Sequence, residues 1–166
     1  MKDHHPDIRR TLLFLRSGDQ LLLAMKKRGF GEGKWNGVGG KLEPGETVEQ
    51  ALVRECFEEI GVTPKSWQPV GELDFVQEAD TDDPWHMFMY AYICDEWEGE
   101  PSESEEMMPK WFHVEDIPYG DMWGDDEFWL PYVLDGKKIV GRFTFDLHDR
   151  LLTHDVRVVE EFSHEH

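Results

Sequence analysis

Cysteine is scarce in this chain: Cys56 and Cys94 are the only two in 166 residues, and both sit within apolar runs. A disulfide-stapled secreted scaffold needs a far denser set, so reduced, buried thiols in a cytoplasmic protein are expected. Long apolar runs are missing too. No stretch approaches the roughly 20 residues that span a bilayer, so no membrane partner is expected. The opening residues MKDHHPDIRR contain no apolar h-region of a secretory signal. Internal repeats and long linkers are also absent. A single domain over residues 1–166, with poorly ordered tails at about 1–7 and 160–166, is the expectation. A monomer is expected.

Positive charge is the other shortage. Lys and Arg total 17 against 36 Asp and Glu, for a net charge of −19. Such a surface repels phosphate backbones, which disfavours a nucleic-acid polymer as partner. A small anionic ligand held through metal ions is still allowed. One segment runs against the trend: between Lys26 and Lys41 the chain carries Lys26, Lys27, Arg28, Lys34 and Lys41 against Glu32 alone.

What is present is a pattern of strands around one clear helix. Apolar runs at Thr11 to Leu15 and Leu21 to Met25, divided by Ser17-Gly18-Asp19, predict a hairpin. Glycines at 29, 31, 33, 37, 39 and 40 mark an irregular loop. The stretch Thr47 to Ile60 then has a Thr47/Gln50 capping box and Gly61 where a left-handed cap is wanted. Its apolar face is Val48, Ala51, Leu52, Cys56 and Ile60. Further strands are predicted at Val70 to Val76, His86 to Ile93, Trp111 to Val114 and Lys138 to Phe145. A second helix is predicted at Asp126 to Leu134, with Pro131 blurring its extent. Residues Asp95 to Glu106, rich in Glu, Pro and Ser, read as a solvated loop. Mixed strands with one well-capped helix predict an α/β sandwich.

Within the helix, Glu55, Glu58 and Glu59 fall at i, i+3 and i+4, which puts all three on one face. Unpaired, they repel one another. Such a cluster is explained either as a solvated acidic face or as a site for divalent cations, and carboxylate oxygens at this density suit Mg²⁺ or Mn²⁺. The surroundings decide between these. From Gly40 through Glu46, Arg54-Glu55-Cys56-Phe57-Glu58-Glu59 and Gly61-Val62, the chain reads G-x5-E-x7-R-E-U-x-E-E-x-G-U. At average residue frequencies, a chance match to its fixed positions is on the order of one in a million.

That string is the Nudix box, and the chain is identified as a member of the Nudix hydrolases. Cys56 stands where the family usually has Leu, Ile or Val, a mild departure because cysteine is a small buried hydrophobe. The resemblance implies an α/β/α sandwich with a mixed sheet and a loop–helix–loop catalytic motif. It implies Glu55, Glu58 and Glu59 as ligands for Mg²⁺, with Mn²⁺ able to substitute, and Gly39 giving its carbonyl. Glu55 is also a candidate general base, and Arg54 and Glu46 would brace the loop as an ion pair. Glu106 matches a position that in some relatives adds a further metal ligand.

Beyond the box, from about Thr11 to Val158, the chain is similar to the oxidised-purine nucleoside triphosphatases. The segments that carry this are Met25–Gly31, Trp35–Lys41, Glu105-Glu106-Met107, Trp111-Phe112 and Ile117–Asp126. The resemblance implies hydrolysis of 8-oxo-dGTP, with 2-oxo-dATP as a second substrate, to the monophosphate and pyrophosphate. It implies a base pocket of Phe30, Asn36, Phe75, Trp123, Asp125 and Asp126, with Thr11 on its floor and Lys26 toward the nucleotide. Trp123 and Phe30 offer faces for stacking, and Asn36 both a donor and an acceptor. Two adjacent buried acids ionise together with difficulty, so one would keep a proton and donate it. The plainer uses are a helix N-cap pair for Asp125-Asp126, a solvated turn for Lys26, Lys27 and Arg28, and ordinary core for Trp123 and Phe75. Gln77 stands where relatives often carry a second pocket aromatic, and Asp80 to Pro84 reads as an insertion. His4, His5, His164 and His166 read as polar tails, and His86, His113, His148 and His154 show no ligand spacing. Two other functions fit the same features: a Nudix hydrolase of another nucleotide, and a non-catalytic nucleotide-binding module. The second is disfavoured because Glu46, Glu55, Glu58 and Glu59 are all present.

Overall fold

The chain runs β1 (Ile8–Ser17), β2 (Gln20–Lys26), β3 (Trp35–Asn36), α1 (Val48–Ile60), β4 (Thr63–Pro64), β5 (Gln68–Gln77), β6 (His86–Cys94), β7 (Trp97–Glu98), β8 (Met107–His113), α2 (Asp126–Leu134), β9 (Lys138–Phe145) and β10 (Leu151–Val159). The computed structural model describes residues 8–78 and 84–162. The expected loose tails therefore lie mostly outside the described residues, as do residues 80–83 of the suspected insertion and His4, His5, His164 and His166.

The predicted hairpin forms and then splits. β1 and β2 pair next to their turn, Arg16 opposite Leu21 and Ser17 opposite Gln20. Past that point β1 follows β6 in parallel, while β2 follows β8 antiparallel. The strand order is β10-β9-β5-β6-β1-β2-β3, with β8 also paired to β2, and the β5–β9 pair is parallel. The sheet is mixed, as expected.

Alternation along the two central strands builds two cores. Leu12, Phe14, Leu21 and Leu23 pack with Trp129, Leu130 and Val133 of α2. Their neighbours Leu13, Leu15, Leu22 and Ala24 pack with Leu52, Cys56 and Ile60 of α1. Strands buried on both faces lose the polar positions of a one-sided sheet, which explains their unbroken apolar runs. The result is the α/β/α layering that the resemblance implied. Leu13 and Leu52 are fully buried, so truncating either to Ala should cost about 2–5 kcal/mol.

α1 begins and ends where its sequence signals lie. The Gln50 backbone N–H donates to Thr47 Oγ1 at 3.1 Å, and the Thr47 N–H donates to Gln50 Oε1 at 2.9 Å. Gly61 takes φ 72° and returns its N–H to the Phe57 carbonyl at 2.9 Å. The second helix runs through Pro131 and is anchored by the buried Trp129, Leu130 and Val133.

Three sequence expectations need correction. β8 begins at Met107 rather than Trp111, because Pro109 interrupts its apolar alternation. The segment Asp95–Glu106 holds β7, which pairs with β4, and Trp97 stacks on Trp111 with ring centroids 5.9 Å apart. β10 was not foreseen. It lies at the sheet edge, mostly exposed, with a register shift between Leu151 and Thr153, and such strands lack a clean period of two. No helix among the described residues is long and apolar enough to cross a membrane.

Candidate active site

The fork between β1 and β2 is filled by the glycine-rich loop. Leu13 and Val38 exchange backbone hydrogen bonds at 2.6 and 2.9 Å, and the Thr11 N–H donates to the Gly40 carbonyl at 2.9 Å. The loop thus lies as a short extra rung against β1. Glycine is required at two points by close approach. A Cβ on Gly39 would come within 2.0 Å of the Thr11 carbonyl oxygen, and one on Gly40 within 2.6 Å of the Glu55 carboxyl carbon. The loop can lie against β1 because Gly39 has no side chain, and α1 can bring Glu55 up to the loop because Gly40 has none.

On α1, Arg54 is the centre of an ion-pair cluster. Its Nε and Nη2 donate to the two oxygens of Glu46 at 2.7 and 2.9 Å, a bidentate pair. Nη1 reaches Glu55 at 2.9 Å and Glu58 at 3.2 Å, and Nη2 also meets the Lys41 carbonyl. The Arg54 guanidinium beside it holds the Glu46 carboxyl below its ordinary value, and Glu46 in turn raises that of Arg54. Arg54 and Glu46 therefore tie loop to helix, the geometry expected of a brace.

Glu59 is different. It is only 5% exposed, and its carboxylate accepts the Gly39 N–H at 3.3 Å. Burial, reinforced by the charge of Glu55, pushes it up to about 8. Glu55, Glu58, Glu59 and Glu106 line one cavity, together with Arg28, Ser104 and Glu105. As they stand, no three such side chains among the described residues gather about a single point, since Arg54 draws Glu55 and Glu58 aside and Arg28 lies 3.7 Å from Glu106. The donors are all oxygens, and a buried acid crowded by a like charge is relieved by a hard divalent cation. The residues fit such an ion.

A second cavity opens across β1. It is lined by all of Thr11, Lys26, Phe30, Asn36, Phe75, Trp123, Asp125 and Asp126, with Gly39 and Gly40 at its border with the acidic helix. Trp123 and Phe30 lie with ring centroids 5.0 Å apart and tilted by 34°, Phe30 being 53% exposed at the rim. Phe75 stacks on Phe143 in the wall. Asn36 Oδ1 accepts the Gly37 N–H at 2.8 Å, which leaves its amide donors for a ligand. Of the basic run, Lys26 faces the cavity, whereas Lys27 pairs with Glu103 at 2.5 Å and Arg28 lies near Glu105 and Glu106.

Asp125 and Asp126 are both buried, and they do not act as a side-chain cap for α2. Trp129 Nε1 donates to Asp125 Oδ2 at 2.8 Å. Burial raises both carboxyls, Asp125 to about 6, where the Trp129 bond holds it down; Asp126 is pushed further by the charge of Asp125. Asp126 is thus the member pushed further from its ordinary value. Its Oδ2, Thr11 Oγ1 and Arg10 Nε are the three buried side-chain polar atoms without a hydrogen-bond partner among the described residues, and all three residues line this cavity.

The sequence reading missed several wall residues. Trp129, Met87, Met89, Met107, Phe145, Lys34 and Trp85 also line the pocket. Trp85 answers the question raised by Gln77. Its ring packs on Phe145 at 5.6 Å while the Gln77 N–H donates to the Trp85 carbonyl at 3.0 Å, so an aromatic is supplied from across the strand pair. Arg10 was not singled out, since the resemblance was followed only from about Thr11, although counting back in twos from Phe14 and Leu12 puts it on the pocket side of β1. Among the lone histidines, His86 meets Asp74 at 2.5 Å and His154 stacks on Phe128 at 3.8 Å.

A carboxylate-bearing helix tied by a glycine loop into a forked mixed sheet, next to a buried polar and aromatic pocket, defines a hydrolase of phosphate-linked small molecules. The NUDIX domain model matches residues 6–133, and the chain belongs to the Nudix family. Nudix hydrolases generally need a divalent metal and act on small nucleotide substrates. A protein from Danio rerio named oxidized purine nucleoside triphosphate hydrolase is 43% identical over 151 residues, covering 91% of this chain and 95% of that one. One of the same name from Mus musculus is 41% identical, covering 92% and 96%. Among solved structures, a mutator MutT protein from Bacillus halodurans superposes with a TM-score of 0.80 at 27% identity, covering 90% of this chain and 97% of the other.

Proposed function

We propose that this chain hydrolyses oxidised purine nucleoside triphosphates, 8-oxo-dGTP and 2-oxo-dATP among them, to the monophosphate and pyrophosphate, so clearing damaged precursors from the nucleotide pool. The observation that carries this reading is the set of orphaned polar atoms: every such atom found lies on the aromatic pocket next to the carboxylate helix. Buried polar groups are nearly always satisfied, so an unmet group in a cavity wall calls for a partner from outside the chain, water or ligand. The relatives named for oxidised purines support the same reading.

In this reading Glu55, Glu58 and Glu59, with the Gly39 carbonyl and Glu106, hold Mg²⁺, for which Mn²⁺ can substitute. Bound there, the metal polarises phosphoryl oxygens and lowers the pKa of the attacking water. Arg54 and Glu46 fix the direction of Glu55, the candidate general base. Trp123 and Phe30 stack the base, the Asn36 amide donates to its polar edge, and Thr11 forms the floor. Neutral Asp126 donates while ionised Asp125, held by Trp129, accepts, an arrangement that can meet the polar edges of both oxidised purines. Lys26 faces the nucleotide from the mouth.

The test is pyrophosphate release from 8-oxo-dGTP beside dGTP, with Mg²⁺ and with EDTA. Metal-dependent release that favours the oxidised base by about tenfold or more is expected. Equal rates on the two would keep the hydrolase and discard the substrate, pointing to another nucleotide. Binding without release from any diphosphate-linked compound would mark a non-catalytic module.

A further inference from the structure

Arg10 has the polar equipment of a ligand contact without a hydrogen-bond partner for its side chain among the described residues. Its Nε is buried with nothing to accept its hydrogen, and its guanidinium enters no hydrogen bond or ion pair among the described residues. The neighbouring Arg9 gives a hydrogen bond to the Tyr90 hydroxyl at 2.7 Å, and Arg54 meets Glu46, Glu55 and Glu58. Guanidinium groups stay charged in proteins, so a half-buried one whose Nε meets no acceptor is left with a donor that a ligand entering the cavity can satisfy.

Its position says what arrives. Arg10 lines the aromatic cavity beside Thr11, Gly39 and Gly40, and its backbone bridges to Lys41. Glu55 and Glu59 are close enough for their charges to act on it, against a larger effect of burial. The side chain therefore stands at the neck between the base pocket and the acidic helix face. A nucleotide with its base against Trp123 and its scissile phosphates at the carboxylates must pass that neck with the phosphate nearest the sugar. A planar guanidinium suits that phosphate's paired oxygens.

We infer that Arg10 is a substrate-binding residue whose guanidinium contacts the phosphate nearest the nucleoside, at the junction of the base pocket and the carboxylate helix. This rests on the nucleotide reading given above. It adds a cation from β1, where the family resemblance had supplied Thr11 alone.

The test is equilibrium binding of 8-oxo-dGMP and of the nucleoside 8-oxo-dG, in Mg²⁺, to the wild type, Arg10→Met and Arg10→Lys. Methionine keeps an unbranched apolar stem and removes both charge and donors. Arg10→Met should weaken the monophosphate by about tenfold or more while leaving the nucleoside within about twofold. Arg10→Lys should fall between it and the wild type on the monophosphate. Equal loss on both ligands would overturn the inference in favour of a base contact, and no loss on either would leave Arg10 a bystander that merely offsets Glu55 and Glu59. If Arg10→Met fails to fold, the Lys variant decides: unchanged monophosphate affinity overturns the inference, and a loss confined to the monophosphate upholds it. A wild type that binds neither ligand overturns the purine reading itself, an outcome no Arg10 variant can mimic.

Discussion

On α1, Glu55 and Glu58 each meet the Arg54 guanidinium, at 2.9 and 3.2 Å, whereas across β1 Asp126 keeps an oxygen with no hydrogen-bond partner among the described residues. The first region is open, acidic and steadied by a built-in cation. The second is buried and aromatic, and three of its polar atoms find no partner among the described residues. The difference teaches where each region gets its missing partner. On the helix face Glu55 and Glu58 are offset by Arg54 within the protein, and the chemistry of the family calls for a metal there. The pocket is uncompensated and needs a ligand to satisfy it. Substitutions in the first should therefore strike turnover and spare folding, and those in the second should strike binding.

The largest expected effect is on the helix face. The Glu58 side chain is 57% exposed, so Glu58→Gln should cut pyrophosphate release by about 10²- to 10³-fold and leave the melting temperature unchanged. Near-normal turnover in that variant would break the comparison, because Glu58 would then be an ordinary solvated acid. Next comes Trp123→Ala, which removes a stacking face in contact with Phe30. Substrate affinity should fall by about 10- to 100-fold, the scale of one base–aromatic stack, with a smaller loss in thermal stability. A melting loss equal to the affinity loss would move Trp123 from pocket to core.

The smallest effect is a pH slope. Asp126 is raised above its ordinary value by burial and by Asp125, so the folded chain keeps a proton that the unfolded chain releases near pH 4. The stability contributed is complete below about pH 4 and is lost as pH climbs toward the raised value. Asp126→Asn cannot ionise and should flatten that decline of melting temperature with pH, measured in EDTA. Glu59 and Asp125 contribute slopes of the same sign to both proteins. An unchanged slope would put the retained proton on one of them.

The two regions also differed in how far they could be read beforehand. The helix face was visible because all its residues fall within 22 positions, Gly40 to Gly61, where helical spacing and caps are local properties. The pocket draws on β1, the glycine loop, β5, β6, α2 and β9, so no short-range rule assembles it. Resemblance supplied eight of its residues. It could not supply Trp85, which stands just past the suspected insertion at Asp80 to Pro84, nor Arg10, which precedes the Thr11 start of the likeness. β10 escaped for a related reason: an exposed edge strand carries polar residues on both sides, so its pattern resembles that of a loop.

Leu12 and Phe14 face the core under the pocket, and Leu13 and Leu15 face the core under the catalytic helix. One strand therefore carries two nearly independent inheritances. Drift at alternate positions can reshape which base is welcomed while the hydrolytic half is passed on intact, and a lineage can change its diet without relearning its chemistry.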